Sequence, residues 1–285
     1  MILQTATGKL HLYGRDWDTH DRFTVERNIL RNFDRYKELG IAVSKHHHYK
    51  EAMSSLMPWF LWHRWSELLV EQFCSHHQVT LLGAASTGKT YTMAAWAYVN
   101  LQIWREDITI LCSTTTRELL NLRVFGDIKK IHQQAKELRP WLCGHVTDAN
   151  YSITVEEGVE GEGRDFKSGI KGIACKVGAN EWTGMSNYVG IKNKHIILIM
   201  DELSLMGTGA IDAIDNLSNG GSDRFQCIGS GNPKDPLDPL GKLAEPVCGW
   251  DNLIQEKRTC TWPTRGGGVA VQLYGPDTPN VDGSD

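Results

Sequence analysis

An apolar segment that runs directly into a glycine-bounded turn constrains the fold of this chain more than any other stretch. Residues 79–82 are apolar and of strand length, and the sequence GAASTGKT follows at residues 83–90. Glycines in such a turn let backbone N–H groups wrap a phosphate, while the lysine reaches phosphate oxygens and the hydroxyl binds Mg²⁺. Residues 89–104 continue as an Ala-rich apolar segment without Gly or Pro, which predicts a helix. This order predicts a phosphate-binding loop; the alternative is a surface turn before a core helix.

The loop residues receive separate predicted roles. Lys89 is predicted to be catalytic because its ammonium bridges the β and γ phosphates, and Thr90 is predicted to bind Mg²⁺. The implied cofactors are ATP and Mg²⁺. The predicted nucleotide-binding residues of the loop are Gly83, Ala84, Ala85, Ser86, Thr87, Gly88, Lys89 and Thr90.

A second apolar segment ends in two carboxylates. Residues 194–202 read KHIILIMDE, in which five consecutive apolar residues precede Asp201 and Glu202. An uninterrupted apolar run is typical of a strand buried on both faces of a parallel sheet. Mg²⁺ needs a carboxylate at the strand end, and hydrolysis needs a second one to align the attacking water. We therefore predict Asp201 as a metal ligand and Glu202 as a catalytic residue.

A further short strand is predicted at residues 225–233, which read FQCIGSGNP. Ligands of open α/β sheets bind at the carboxyl ends of strands. Ser230 and Asn232 are therefore predicted to bind the nucleotide, facing the γ-phosphate beside Asp201. The alternative is a turn marked by Gly-Asn-Pro.

Arginines occur near the start of a predicted long helix. Residues 107–112 predict a strand, and the following helix is predicted to begin with a Thr-x-x-Glu capping box and to run to about residue 138. Arg117 and Arg123 lie in its first part. They form a solvated face, or one of them senses phosphate or completes the site of a neighbouring subunit.

The first part of the chain carries little that resembles a catalytic motif. A helix is predicted over residues 24–39, closed by Gly40. The three consecutive histidines at residues 46–48 are predicted to lie in a solvated loop, because neighbouring imidazoles point in different directions. Residues 57–73 are predicted to form a core helix that covers the sheet; alternatively, an aromatic residue there or Arg64 stacks on the nucleotide base.

A basic cluster is predicted around a β-hairpin at residues 151–176 and the loop that follows it. Its charges are solvated, or they form a track for a DNA backbone. The cations are Arg164, Lys167, Lys171, Lys176, Lys192 and Lys194.

Composition limits the alternatives. The net charge of −4 argues against non-specific coating of nucleic acid, so any DNA contact must come from a local basic patch. The sequence has no run of eighteen apolar residues and no basic-then-apolar start, so no membrane association is expected and the cytoplasm is the expected location. The seven cysteines are scattered without C-x-x-C spacing, which fits a reducing compartment.

These motifs resemble the ATPase domain of the large terminase subunit of tailed bacteriophages. The correspondence runs from about residue 59 to residue 280. Its specific parts are the GAASTGKT loop, the segment LCSTTTRELLNLRVFGDIK, the strand ending at Asp201 and Glu202, and the SGNP segment, which resembles the coupling motif of the family.

The resemblance implies an α/β fold of the RecA-like ASCE P-loop NTPase kind, with a mostly parallel central sheet flanked by helices and a small N-terminal helical lid. The expected domains are a lid at residues 1–55, an ATPase domain at 56–275 and a linker or tail at 276–285. The implied function is ATP-driven packaging of double-stranded viral DNA into a capsid in the host-cell cytoplasm. The implied partners are DNA, a portal protein and a small terminase subunit, with a homo-oligomeric ring as the active state and a monomer in isolation.

The chain departs from the family pattern at one position of the loop. Large terminases usually carry an arginine three residues before the second glycine, where this chain has Ala85. Charge neutralisation must then come from Lys89, the metal and another arginine. The family is thought to use an arginine of the neighbouring subunit on the helix after the second strand, and Arg123 is the closest match, so it is predicted to be catalytic. The ending at residues 262–280 resembles the junction that precedes the nuclease domain of the family, and no nuclease site is expected in this chain.

Three other functions stay open on the sequence. A helicase needs two RecA-like lobes or a ring partner, and no Q-x-x-R-x-G-R-like motif occurs. A small-molecule kinase would not need Glu202 to activate water. The third alternative is a nucleotide-gated DNA-binding scaffold without significant turnover.

Overall fold

The computed structural model describes residues 9–84, 87–155, 166–175, 188–254 and 258–277. Contacts divide the chain into two units, Met1–Trp62 and His63–Asp285. Within the described residues, no helix is both long enough and apolar enough to cross a lipid bilayer.

The first unit consists of a small hairpin and three helices. Their bounds are β1 Leu10–Leu12, β2 Arg15–Trp17, α1 Arg22–Arg31, α2 Phe33–Glu38 and α3 Lys45–Leu56. The helix predicted over residues 24–39 is interrupted at Asn32, and Gly40 follows α2 with a φ of 69°.

The solvated loop predicted for residues 46–48 is wrong, because these histidines lie on α3. His48 is fully buried. Its Nε2 accepts a hydrogen bond from the Val43 N–H at 3.1 Å, so its Nδ1 donates to Glu26 Oε2 at 2.7 Å. The Tyr13 hydroxyl donates to the other Glu26 oxygen at 2.7 Å. A buried carboxylate needs such partners, and sequence spacing gives no sign of a pairing across 22 positions.

The second unit contains the remaining helices and strands. Their bounds are α4 Arg64–Ser75, β3 Gln78–Gly83, α5 Lys89–Trp104, β4 Ile108–Thr114, α6 Arg117–Leu122, α7 Val124–Leu138, β5 His145–Thr147, β6 Ser152–Thr154, β7 Gly169–Ala174, β8 His195–Asp201, α8 Gly209–Ser218, β9 Arg224–Gly231, α9 Pro239–Ala244, β10 Cys260–Pro263 and β11 Val269–Leu273.

Among the described residues these strands form one nine-stranded sheet in the order β10-β11-β3-β9-β8-β4-β7-β6-β5. The six central strands, from β11 to β7, run parallel, and antiparallel strands extend both edges. The predicted class, a mostly parallel α/β sheet flanked by helices, is confirmed. Strand β9 lies between β3, which leads into the phosphate-binding loop, and β8, which ends in the acidic pair.

Helices cover both faces of the sheet. On one face, Leu198 and Met200 of β8 pack in a core cluster with Ile214 of α8 and Leu240 of α9. On the other face, Trp96 of α5 donates to the side chain of Gln226 on β9, which in turn donates to the carbonyl of Phe73 at 2.7 Å. β3 and β4 are buried along their whole length and β8 along nearly all of it, as their apolar sequences predict.

Two predicted helices have different bounds. The helix predicted from residue 57 begins at Arg64, because His63 provides the N-cap with a reciprocal capping box to Ser66. Residue 57 precedes Pro58, which disfavours helical backbone at the residue before it.

The long helix predicted after β4 is two helices that break at Arg123. Thr116 caps the first one by accepting from the Leu119 N–H at 3.1 Å, so the predicted Thr-x-x-Glu box is wrong. The break brings the carbonyl of Asn121 so close to Gly126 that a Cβ there would lie 2.0 Å from its oxygen. Gly126 was the sequence signal for this break.

Candidate nucleotide-binding and hydrolysis site

Two glycines shape the turn between β3 and α5. A Cβ at Gly83 would lie 2.9 Å from the carbonyl oxygen of Leu273, so glycine lets β11 approach the end of β3 closely. Gly88 caps α5 with a φ of 75°, a left-handed backbone that favours glycine. Thr87 donates to the carbonyl of Ala84 at 3.2 Å and closes the turn. Ala85 and Ser86 lie outside the described residues.

Lys89 is the first residue of α5, and its side chain folds back over the turn. Its ammonium donates to the carbonyls of Gly83 at 2.8 Å and Ala84 at 2.7 Å. Burial lowers the pKa of Lys89, and the negative charges of Asp201 and Glu202 oppose that shift. An ammonium has three N–H donors, so the two carbonyls in the described chain leave one for a phosphate oxygen.

Asp201 is the last residue of β8 and is only 2% exposed. Its Oδ2 is buried and accepts no hydrogen bond within the described chain, although Arg123 lies 3.6 Å from it. Burial raises the pKa of Asp201, while the charges of Arg123 and Lys89 lower it. An unsatisfied buried acceptor costs about 1–3 kcal/mol, so this oxygen is suited to a ligand.

Ser230 lies directly opposite Asp201 in the pairing of β8 with β9. Its hydroxyl is also buried without a hydrogen-bond partner in the described chain. The hydroxyl of Ser204, two residues after Glu202, is in the same condition. Ser204 was not predicted from the sequence, although its position just beyond the acidic pair was a signal. These groups surround the end of β8 with unsatisfied polar atoms.

Glu202 follows Asp201 in a left-handed conformation, with a φ of 58°. A non-glycine residue with such a backbone costs about 1–3 kcal/mol and is typical of functional sites. The guanidinium of Arg123 donates to Glu202 Oε1 from the break between α6 and α7. Burial lowers the pKa of Arg123, but its contacts with Glu202 and Asp201 outweigh this, and the net shift is upward. Arg123 therefore contacts the acids of its own chain.

The residues around Asp201 fit a magnesium ion. Mg²⁺ typically uses one or two protein oxygens together with phosphates and water, so an all-protein cage is not required. In the described residues no cluster of three or more His, Cys, Asp and Glu side chains could hold a metal. The unsatisfied carboxylate oxygen of Asp201 is a donor suited to the ion, and Thr90, the second residue of α5, carries the hydroxyl that the sequence predicts as a further ligand.

Asn232, also predicted to bind the nucleotide, directly follows β9. Asn232 is exposed after the end of β9 and lines a cavity with Gly83, Ala84 and Tyr274. Sequence analysis missed Tyr274, although it directly follows β11, and residues after parallel strands line ligand sites.

His63 was also missed at the sequence level. A Cβ built on Gly88 would lie 3.6 Å from His63 Nε2, so the imidazole that caps α4 borders the phosphate-binding turn. Arg64 is the first residue of that helix. Its stacking on a base stays a prediction.

The described lysines of the basic cluster lie away from the acids. Lys194 directly precedes β8 and pairs with Asp107 at 2.8 Å. Asp201 ends the same seven-residue strand, about 20 Å away at roughly 3.3 Å per residue. Lys167 precedes β7, and Lys171 lies within it. Arg164 and Lys176 lie outside the described residues.

No protein-family model and no curated protein matches the chain. Solved structures of several other proteins are similar to it. The large terminase ATPase domain of Thermus phage P74-26 has a TM-score of 0.47 and 13% identity, over 64% of this chain and 69% of that one. The N-terminal domain of the DNA packaging ATPase from bacteriophage phi29 has a TM-score of 0.43 and 17% identity, over 77% of this chain and 98% of that one.

The large terminase of a thermophilic bacteriophage, in complex with ADP, has a TM-score of 0.41 and 16% identity, over 68% of this chain and 40% of that one. These three structures are phage terminases and packaging ATPases, the family that the motifs resemble. All three TM-scores are below 0.5, and a function for this chain is supported by its motifs and by the geometry of its site.

Proposed function

We propose that this chain hydrolyses ATP with Mg²⁺ at the carboxyl ends of β3 and β8. Lys89 binds the β and γ phosphates, and the backbone of residues 83–90 wraps them. Thr90 and Asp201 hold the ion, which neutralises the developing phosphate charge when bound. Ser230, opposite Asp201, would donate a hydrogen bond to a phosphate oxygen.

Glu202 aligns the attacking water and accepts its proton. A water-directing carboxylate distinguishes hydrolysis from transfer to a substrate hydroxyl. Glu202 is suited to this role because it directly follows Asp201 at the end of β8 and has the left-handed backbone that is typical of functional sites.

One observation carries this proposal. Two cations, Lys89 and Arg123, and two acids, Asp201 and Glu202, interact electrostatically at one end of the sheet, and the acid at the strand end keeps an unsatisfied oxygen. Perturbed, mutually coupled titratable groups are typical of catalytic sites. A structural ion-pair network would instead satisfy its buried oxygens.

The finer function is a motor that moves double-stranded viral DNA into a capsid. The motif resemblance supports this function. The same resemblance implies the partners, which are DNA, a portal protein and a small terminase subunit, and a ring of identical subunits as the active state. The candidate DNA contacts are Lys167 and Lys194, at the ends of β7 and β8 opposite the acids, and Lys171, within β7. Strand β8 connects that end of the sheet to the acids.

Steady-state ATPase measurements with and without duplex DNA test both proposals, ATP hydrolysis and the movement of DNA. We expect Mg²⁺-dependent turnover that duplex DNA stimulates, and almost none in Lys89→Ala. Lys130→Ala, an exposed change on α7, is the matched control and should keep wild-type activity. Wild-type turnover in Lys89→Ala would refute the site. Nucleotide binding without turnover under any of these conditions would identify a nucleotide-gated scaffold instead.

A further inference from the structure

A cavity of about 440 Å³ opens beside the phosphate-binding turn. It spans the ends of three adjacent parallel strands, β9, β3 and β11, where Asn232, Gly83, Leu273 and Tyr274 line it. Its volume lies in the range of about 300–1,000 Å³ that is typical of small-ligand sites. The catalytic residues of the proposed function do not line this cavity, apart from the turn residues Gly83 and Ala84, which it shares with the phosphate site.

The order of the strands gives the direction of a bound nucleotide. Strand β8, with its acids, lies on the β9 side of β3, whereas β11 lies on the opposite side. A nucleotide whose γ-phosphate faces Asp201 and Glu202 therefore extends its sugar and base away from β8, past Gly83 and towards β11. The cavity lies on that path.

The chemistry of the cavity suits a planar heterocycle. Tyr274 is half-buried, and the guanidinium of Arg258 lies 4.7 Å from the centre of its ring and donates to its hydroxyl at 2.7 Å. The Tyr274 N–H also donates to Thr259 at 3.3 Å. A ring held in this way loses little conformational freedom when a base stacks on it. The amide of Asn232 offers donors and an acceptor to the edge of a base.

We propose that this cavity is the nucleobase subsite of the chain, with Tyr274 as its stacking surface, Arg258 as the residue that positions Tyr274, and Asn232 as a polar contact to the base edge. This proposal rests on the proposed nucleotide hydrolysis. It assigns the base to the end of β11, in place of the start of α4.

Calorimetric titration of the full chain with Mg²⁺·ADP and, separately, with Mg²⁺·tripolyphosphate tests the proposal, since the second probe has phosphates but no base. We expect Tyr274→Ala to weaken ADP binding by about 5- to 150-fold, the range for base–aromatic stacking, and to leave tripolyphosphate binding unchanged. Tyr274→Phe keeps the ring and should bind both probes nearly as well as wild type. Arg64→Ala is the matched control at the start of α4.

Three outcomes would overturn the proposal. The first is an unchanged affinity for ADP in Tyr274→Ala. The second is an equal loss of affinity for both probes in Tyr274→Ala when its circular dichroism spectrum is that of the wild type. The third is a selective loss of ADP affinity in Arg64→Ala alone. If Tyr274→Ala does not fold, Tyr274→Leu takes its place, because it keeps apolar volume without an aromatic face. If the wild type binds neither probe, the proposed function itself is refuted. Failure of the proposed function is therefore distinguishable from failure of the nucleobase subsite.

Discussion

The contact between Arg123 and Glu202 predicts a measurable coupling energy in the nucleotide-free chain. A hydrogen bond between charged groups contributes about 1.5–3 kcal/mol. The Arg123 side chain is 37% exposed and that of Glu202 is 16% exposed, so solvent screens part of this energy. We therefore expect a coupling of about 1–2 kcal/mol between the two side chains.

A double-mutant cycle measures this coupling. Urea unfolding, without nucleotide and metal, is followed for the wild type, Arg123→Ala, Glu202→Ala and the double variant. The free energies of unfolding of the single variants should not add, and the double variant should be more stable than their sum predicts by about 1–2 kcal/mol. For a unit of this size, a loss of 1 kcal/mol corresponds to a shift in Tm of about 2–4 °C, so thermal scans give a second readout.

A cycle between Arg117 and Glu202 is the control. Arg117 lies exposed at the start of α6, so its removal should add to that of Glu202 within about 0.3–0.5 kcal/mol. If the Arg123 cycle is additive within the same limit, Arg123 does not hold Glu202 in solution, and the arrangement of charges described above is wrong.

Three further predictions concern the acids and the basic cluster. Glu202→Gln should keep Mg²⁺·ATP binding while turnover falls by about 10²- to 10⁴-fold, whereas Asp201→Asn should weaken the Mg²⁺-dependent binding itself; equal binding losses by calorimetry would show that these roles are misassigned. Burial raises the pKa of Asp201, so acidification should protonate it at a higher pH than an ordinary aspartate and weaken Mg²⁺·ATP binding. The charge of Arg123 lowers the same pKa, so Arg123→Ala should move the midpoint of that pH titration upward. A midpoint that stays or falls contradicts this. Charge reversal of Lys167 and Lys171 together should lower the salt dependence of duplex DNA binding, by about 0.9 in log–log slope for each phosphate that the lysines no longer neutralise, with basal ATPase unchanged; an unchanged slope would assign these lysines to a solvated surface.

The sequence predicted the parts of the site that depend on neighbours along the chain. The turn at residues 83–90 and the strand that ends at Asp201 are local patterns whose residue types have few substitutes. In the sheet, β3, which leads into the turn, and β8, which ends at Asp201, are separated by β9. The break at Arg123 was not predicted. Gly126 disfavours a helix at this point, but an isolated glycine is tolerated there, and its close approach to the Asn121 carbonyl is visible only in three dimensions.

Pairings between distant residues were harder to predict. Ser230 was expected beside Asp201, and the register of β8 with β9 places the two opposite each other near the ends of parallel strands. The hydrogen bond between His48 and the buried Glu26 could not be predicted in this way, because no motif or periodicity relates the two helices that carry these residues. The cavity at Tyr274 likewise depends on the position of β11 beside β3, which the order of strands along the chain does not give.

The free energies involved would allow the Arg123 guanidinium to release Glu202 of its own chain during turnover and to contact the site of a neighbouring subunit. Breaking its contact with Glu202 costs about 1–2 kcal/mol by the estimate above. An arginine that completes the site of a neighbouring subunit accelerates hydrolysis by about 10³- to 10⁵-fold, which corresponds to about 4–7 kcal/mol of transition-state stabilisation. If Arg123 acts in this way, the gain would exceed the cost, and activity per subunit should rise with protein concentration.

Mixing two inactive variants tests this exchange. Glu202→Gln subunits still offer Arg123, and Arg123→Ala subunits still have an intact Glu202, so mixed assemblies should regain part of the ATPase activity. Each variant alone, at the same total concentration, is the control. If light scattering shows that the mixture assembles and yet no activity returns, Arg123 acts on the acids of its own chain, where the nucleotide-free structure places it.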